Sequence, residues 1–195
     1  MAVRDTGAEQ LIKDTAKQIF FAEGKRNATT QDIADAAGVT RTLVNYYFRS
    51  KDILFKQVFD EAMLDMRNKF DAVLAADLPF RKKLEGFIDM FYAEVTAFPY
   101  KESFMITEIN SHDFDIDKKE ISPALRIFIK DIQLEMEKGT IKKMRPANFM
   151  LNLFSLLAYP LITRPLFKKL FELSDIEFER LLHDRKKMIL EMLLC

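Results

Sequence analysis

The 195-residue chain carries 30 basic and 30 acidic side chains, so no overall charge draws it to nucleic acid or to a membrane surface. Nearly half of the residues are hydrophobic, with 18 Phe and 10 Met, which excludes a disordered chain and supplies material for a sizeable core. Five Gly and six Pro are too few turn residues for an all-β domain, and the single cysteine, Cys195, excludes an intrachain disulfide and suits a reducing cytoplasm.

In chain order, helical periodicity dominates. MAVRDTGAEQ has no apolar core of the kind a secretory signal needs, so a cytoplasmic location is expected. Leu11, Ile12, Thr15, Ala16, Ile19 and Phe20 recur at spacings of three and four, which predicts a first helix ending at Gly24. Thr29 stands three residues before Asp32 as a capping box for a short second helix with Ile33, Ala34 and Ala37 on its apolar side, closed by Gly38. Thr40 caps a third helix through Tyr46, anchored by Leu43 and Val44, with Tyr47 and Phe48 packing just past its end. Ser50 caps a fourth, long helix whose stripe runs Ile53, Leu54, Val58, Ala62, Met66, Phe70 and Val73 to about Ala76.

Further helices are predicted over 80–98, 100–112 and 123–138, the last opened by Ser122-Pro123 and closed by Gly139. A long helix from Pro146 to about Phe171 should bend near Pro160 and Pro165, and Ser174 caps the last one. The sum is about nine helices and no strand. The apolar run 149–162 is interrupted by Asn152, Ser155 and Pro160 and falls short of the roughly 20 residues that span a bilayer, so it reads as a buried helix and no membrane partner is expected.

Two short helices joined at Ala37-Gly38-Val39 make a helix-turn-helix, the unit that lays its second helix in a DNA major groove. On that second helix Thr40, Arg41, Thr42, Asn45 and Tyr46 are not needed for packing. Arginine reads guanine, asparagine reads adenine, and threonine donates, accepts or touches a thymine methyl. Lys51, at the start of the next helix, stands beside free backbone N–H groups where a phosphate fits.

Residues 11–55 resemble the N-terminal domain of the TetR family of bacterial transcriptional regulators. The resemblance is carried by Leu11, Ala16, Ile19-Phe20 and Gly24, by Thr29, Asp32-Ile33-Ala34 and Ala37-Gly38-Val39-Thr40, and by Tyr47-Phe48-Arg49-Ser50-Lys51-Asp52-Ile53-Leu54. It implies an all-α homodimer. Residues 1–50 would form a three-helix, helix-turn-helix DNA-binding domain, and residues 51–195 a helical domain that binds a small-molecule effector and dimerises through its last two helices. Family contacts to DNA carry over by position to Thr30, Gln31, Thr40, Arg41, Thr42, Leu43, Asn45, Tyr47 and Lys51. The chain departs from the family at Thr42, commonly glycine, at Asn45, often tyrosine, and at Lys25, where an aromatic usually follows the glycine.

The Phe- and Met-rich stretches offer Phe87, Met90, Phe91, Phe104, Met105, Ile109, Phe128, Phe154 and Tyr159 as lining for an apolar effector cavity, with plain core as the competing reading of each. Phe149, Leu153, Leu156 and Leu157, then Phe178, Leu181, Leu182, Ile189, Met192 and Leu193, leave more apolar surface on the last two helices than one domain covers, and a dimer accounts for the excess.

Asp113, Asp115 and Asp117 are spaced like the opening of a calcium loop, but Lys118 and Ala124 stand where glycine and glutamate are needed, so the stretch reads as a solvated connection. His112 and His183 lack partners at metal spacing, and no nucleophile elbow or phosphate loop is present. The chain therefore reads as a non-enzyme without cofactor, and its helix-turn-helix together with the family resemblance implies a repressor that binds a palindromic double-stranded DNA operator as a homodimer and is released by a small apolar or amphipathic effector. A helical small-molecule or protein-binding module, using its helix-turn-helix for protein contact, is the alternative that Thr42 and Asn45 leave open.

Overall fold

The computed structural model describes residues 6–110 and 122–195. The acid-spaced stretch 112–117 lies outside them. Among the described residues the chain folds into ten α-helices and no strand.

Helix α1 (Thr6–Lys17) runs on into a π-helical turn over Gln18–Ala22, closed by the Glu23 N–H on the Gln18 carbonyl at 3.0 Å. One extra residue in the turn brings Ile19, Phe20 and Phe21 all inside, which ordinary helical spacing does not do for three consecutive residues. Leu11, expected on the inner face, is exposed because Ile12 and Ala16 hold the contact line.

Helix α2 (Thr30–Ala37) opens on the expected capping box, with the Asp32 backbone N–H donating to the Thr29 hydroxyl and the Thr29 N–H donating to the Asp32 carboxylate at 2.7 Å. The Thr29 N–H and hydroxyl, both donating to the Asp32 carboxylate, hold that carboxyl below its ordinary pKa. Helix α3 (Arg41–Phe48) runs two residues further than its sequence suggested. Val44, Tyr47 and Phe48 share its buried face, so packing extends the helix until Arg49, at φ +59°, ends it.

Helix α4 (Lys51–Ala75) has 25 residues and so spans roughly 37 Å. It joins two hydrophobic clusters. Leu54, Val58, Phe59 and Ala62 close the cluster of the first three helices, and Leu74, with Phe70 and Val73 against it, belongs to the larger one. Ile53, expected on the stripe, is exposed at the helix start.

The second cluster is built by α5 (Phe80–Ala97), α7 (Pro123–Lys138), α8 (Pro146–Ile162) and α10 (Asp175–Leu193). Its centre is a row of rings, with Phe70 stacked on Phe87 at 4.7 Å and Phe80 on Phe128 at 5.4 Å. Each such pair adds about 0.5–1.5 kcal/mol beyond area burial. Ion pairs tie the rim: Lys83 to Asp131 at 2.7 Å links α5 to α7, and Lys186 to Asp89 at 2.6 Å links α10 to α5.

Helix α6 (Lys101–Ile109) belongs to the first cluster through Phe104, whose ring meets Phe21 at 5.6 Å and Phe55 at 5.8 Å. The Tyr100 N–H donates to the Phe21 carbonyl at 3.0 Å, and Arg26 pairs with Glu108 at 3.0 Å. Gly24 sits under the Tyr100 ring at φ +71°, where a Cβ would lie 2.8 Å from Cδ1.

The long helix expected over 146–171 is two helices, α8 and α9 (Arg164–Leu170), meeting at Thr163 with a bend of 67°. Pro160 is kept inside α8. It has no N–H for the Leu156 carbonyl, and Arg185 of α10 supplies the missing donor through Nη2 at 3.0 Å. No single helix among the described residues is long and apolar enough to cross a membrane.

Candidate nucleic-acid interface

The geometry of the reading face follows from which side of α3 the core takes. Val44, Tyr47 and Phe48 are buried, and Leu43 is half-buried against the same cluster. The opposite side therefore shows Arg41, Thr42, Asn45 and Tyr46 to solvent, with Thr40 exposed at the cap. Tyr46 is 65% exposed and Tyr47 only 8%, and the two rings meet edge-on at 5.3 Å. Of the two tyrosines, Tyr46 is the one free to reach a base edge. Tyr47 serves the core first, contrary to its expected place among the readers.

Local hydrogen bonds set the other candidates. The Thr40 hydroxyl accepts from the Leu43 N–H at 3.2 Å, which orients the first turn of α3. Arg41 Nε donates to the Thr30 hydroxyl at 3.3 Å, joining the starts of α2 and α3 on one surface. Gln31 is exposed and rests on Asp35 at 2.7 Å. Lys51 Nζ donates to the Arg26 carbonyl at 3.4 Å, which holds the ammonium beside the N-terminus of α4. Gly38, at φ +67°, makes the turn between α2 and α3, and Val39 N–H closes on the Ala34 carbonyl at 2.9 Å. Thr40, Arg41, Thr42, Asn45 and Tyr46 are thus exposed along α3, and Arg41 links them to Thr30 at the start of α2.

The expected effector lining is only partly gathered. A half-open cavity of about 640 Å³ lies among α6, α8, α9 and α10, and of the nine expected residues Phe154 and Tyr159 line it. Phe87, Phe91 and Phe128 are taken up in the ring-stacked core. Phe104 and Met105 pack in the N-terminal cluster. Ile109 is exposed and Met90 half-buried away from the cavity, where Ile106 stands instead. Sequence reading missed Phe167, Phe171 and Arg185, since nothing in their spacing tells how far α9 turns away from the line of α8.

The dimerisation residues divide in the same way. Phe149, Leu153, Leu157, Phe178, Leu182, Ile189 and Leu193 are buried in the protomer's own core, so they are not available to a partner. Leu156 is half-buried, and Leu181 and Met192 are exposed, alongside Leu151, Ile176 and Met188, which the sequence pattern did not single out.

A capped helix-turn-helix on an all-helical scaffold is the class that fold and site define. The family model for bacterial regulatory proteins of the tetR family matches residues 12–58. The KstR2 transcriptional repressor of Rhodococcus jostii is 28% identical over 92 residues, 47% of this chain and 45% of that one, so the match spans less than half of the relative's length. The ketosteroid transcriptional regulator KstR2 of Mycobacterium tuberculosis superposes with a TM-score of 0.66 at 11% identity, covering 99% of this chain and 97% of that one. A TetR-family regulator from Haemophilus influenzae superposes with a TM-score of 0.61 at 15% identity, over 97% and 98% of the chains. Residues 12–58 are a TetR-family domain, and the whole chain has the fold of that family's solved members.

Proposed function

We propose that the chain is a DNA-binding transcriptional regulator acting as a repressor, with residues 1–50 as the reading head and residues 51–195 as the effector-binding and dimerising part. The observation that carries this reading is the exposed row Arg41, Thr42, Asn45 and Tyr46 on a helix whose other face is locked into the core. The Rhodococcus relative is a repressor by name, and the same sign is taken here.

A homodimer would set two α3 helices into successive major grooves of a palindromic site, about one helical turn apart. Effector bound in the C-terminal part would favour a wrong spacing of the heads and lower DNA affinity by a coupling of about 1–3 kcal/mol. Helix α4, shared by both clusters, is the lever.

The test is selection of bound sequences from a random duplex pool, followed by titration of the winner at several salt concentrations. A palindromic consensus with salt-dependent affinity is the expected result. Failure to enrich any sequence, with folded dimeric protein, would sink the reading.

A further inference from the structure

The half-open cavity of about 640 Å³ is walled by Phe154, Tyr159, Phe167, Phe171 and Phe178, and Arg185 is the one charged residue in its lining among the described residues. That guanidinium has no carboxylate partner among the described residues. Nη2 donates to the Leu156 carbonyl that Pro160 leaves open, and Nε is buried with no acceptor among the described residues. Behind it the buried Tyr92 hydroxyl faces the same cation and also lacks a hydrogen-bond partner of good geometry. A partly buried cation whose Nε is shut off from water and which has no counter-charge among the described residues is costly, and an apolar cavity of this size ordinarily holds a ligand with few fixed polar points.

We propose that the cavity takes an elongated apolar molecule ending in one carboxylate, with the carboxylate paired to Arg185 and the apolar body along the phenylalanine wall. This deepens the effector reading given above and rests on it. A guanidinium offers a planar fork of N–H donors, which suits a carboxylate and gives nothing comparable to an alcohol of the same length. Tyr92 is the positioning residue that stands at the back of the fork. The break in α8 hydrogen bonding at Pro160 fixes where the fork sits, because the freed Leu156 carbonyl holds Nη2.

The experiment is calorimetric titration of the full-length chain, free of DNA, with saturated monocarboxylates from octanoate to hexadecanoate and with the primary alcohol of each length. At least one acid should bind about tenfold or more tightly than its alcohol, the usual worth of a hydrogen bond to a charged group. Arg185→Met should bring the acid down to the alcohol, and Arg185→Lys should keep part of the preference. Arg185→Met also strips the Leu156 carbonyl of its donor, so the double variant Pro160→Ala/Arg185→Met is measured beside it, since an alanine in place of Pro160 restores the backbone N–H. Equal affinity for acid and alcohol, no acid bound at any length, or a double variant that retains the acid preference overturns the proposal. Acid preference without any selected DNA sequence would remove the regulator reading and leave this site standing. A selected operator without acid binding would do the reverse.

Discussion

Arg41 and Lys51, both named as DNA contacts in the proposed reading, should fail in different ways. Arg41 is exposed on α3 and held to Thr30 by a 3.3 Å hydrogen bond, weak enough for it to turn to a base edge. Arg41→Ala should cost about 1–3 kcal/mol at the selected site and relax preference at one base pair. Lys51→Ala should weaken all sequences alike and lower the slope of log affinity against log salt by about one, which salt titrations of selected and scrambled duplexes would measure. Wild-type affinity in Arg41→Ala would put the reading helix elsewhere.

A different residue contributes a pH dependence of its own. Glu102 is 1% exposed, and its Oε2 has no partner among the described residues. Burial pushes its carboxyl above the ordinary range, Lys101 opposes this, and Glu94 adds to it. A raised folded pKa means that the folded state holds the proton more tightly, so Glu102 contributes stability below the ordinary glutamate pKa and loses it as pH rises through the folded value. Glu102→Gln should therefore raise Tm at neutral pH by about 2–4 °C, or about 1 kcal/mol, with the gap closing toward about pH 4. An equal gap at both pH values would refute the assignment. Neither Glu102 nor Arg185 stood out in the sequence, since burial of a charge depends on which helices pack across it.

At the scale of elements, helix ends were the most legible feature. Thr29 with Asp32, Thr40, Ser50, Ser122 and Ser174 all cap as their local sequence suggests, because a cap involves atoms three residues apart. What stayed hidden was long-range. The π-helical turn over 18–22 serves to bury Phe21, and its neighbours Phe55 and Phe104 lie far along the chain. The bend expected near Pro160 and Pro165 does fall between them, but its depth, a full break into two helices at Thr163, was not legible, since a proline can be kept inside a helix as Pro160 is in α8.

Two helix-closing glycines give a clean comparison. Gly24 and Gly38 both sit near φ +70°, but only Gly24 has a ring over its Cα, while a Cβ at Gly38 would meet nothing within 4 Å among the described residues. Gly38→Ala should cost about 1 kcal/mol from backbone strain alone. Gly24→Ala should cost about 2–4 kcal/mol, with the excess from the Tyr100 ring. Chemical denaturation would show the difference vanish in a Tyr100→Ala background if the ring is its source.

The whole molecule presents a surface that its own core does not explain. Leu151 and Met192 are 65% and 62% exposed, whereas Leu153, two residues from Leu151, is fully buried. If the proposed dimer uses this end of α8 and α10, Leu151→Glu should halve the mass seen by light scattering and leave helicity intact. Leu153→Glu should unfold the protomer. Unchanged mass in Leu151→Glu would move the interface to another face. The core residues named for this role from the sequence fail because periodicity identifies an apolar face without telling which neighbour covers it.

The same molecule carries a seam between its head and its body. Tyr100 lies on Gly24 and bonds the Phe21 carbonyl, Phe104 sits among Phe21 and Phe55, and Arg26 pairs with Glu108. A reading head exchanged with a relative's by cutting at residue 50 would carry away half of that seam. Such a hybrid should be soluble and specific only when residues 98–108 travel with the head. On the proposed reading, the unit of inheritance for DNA preference would be discontinuous, two stretches of sequence to be transplanted as one.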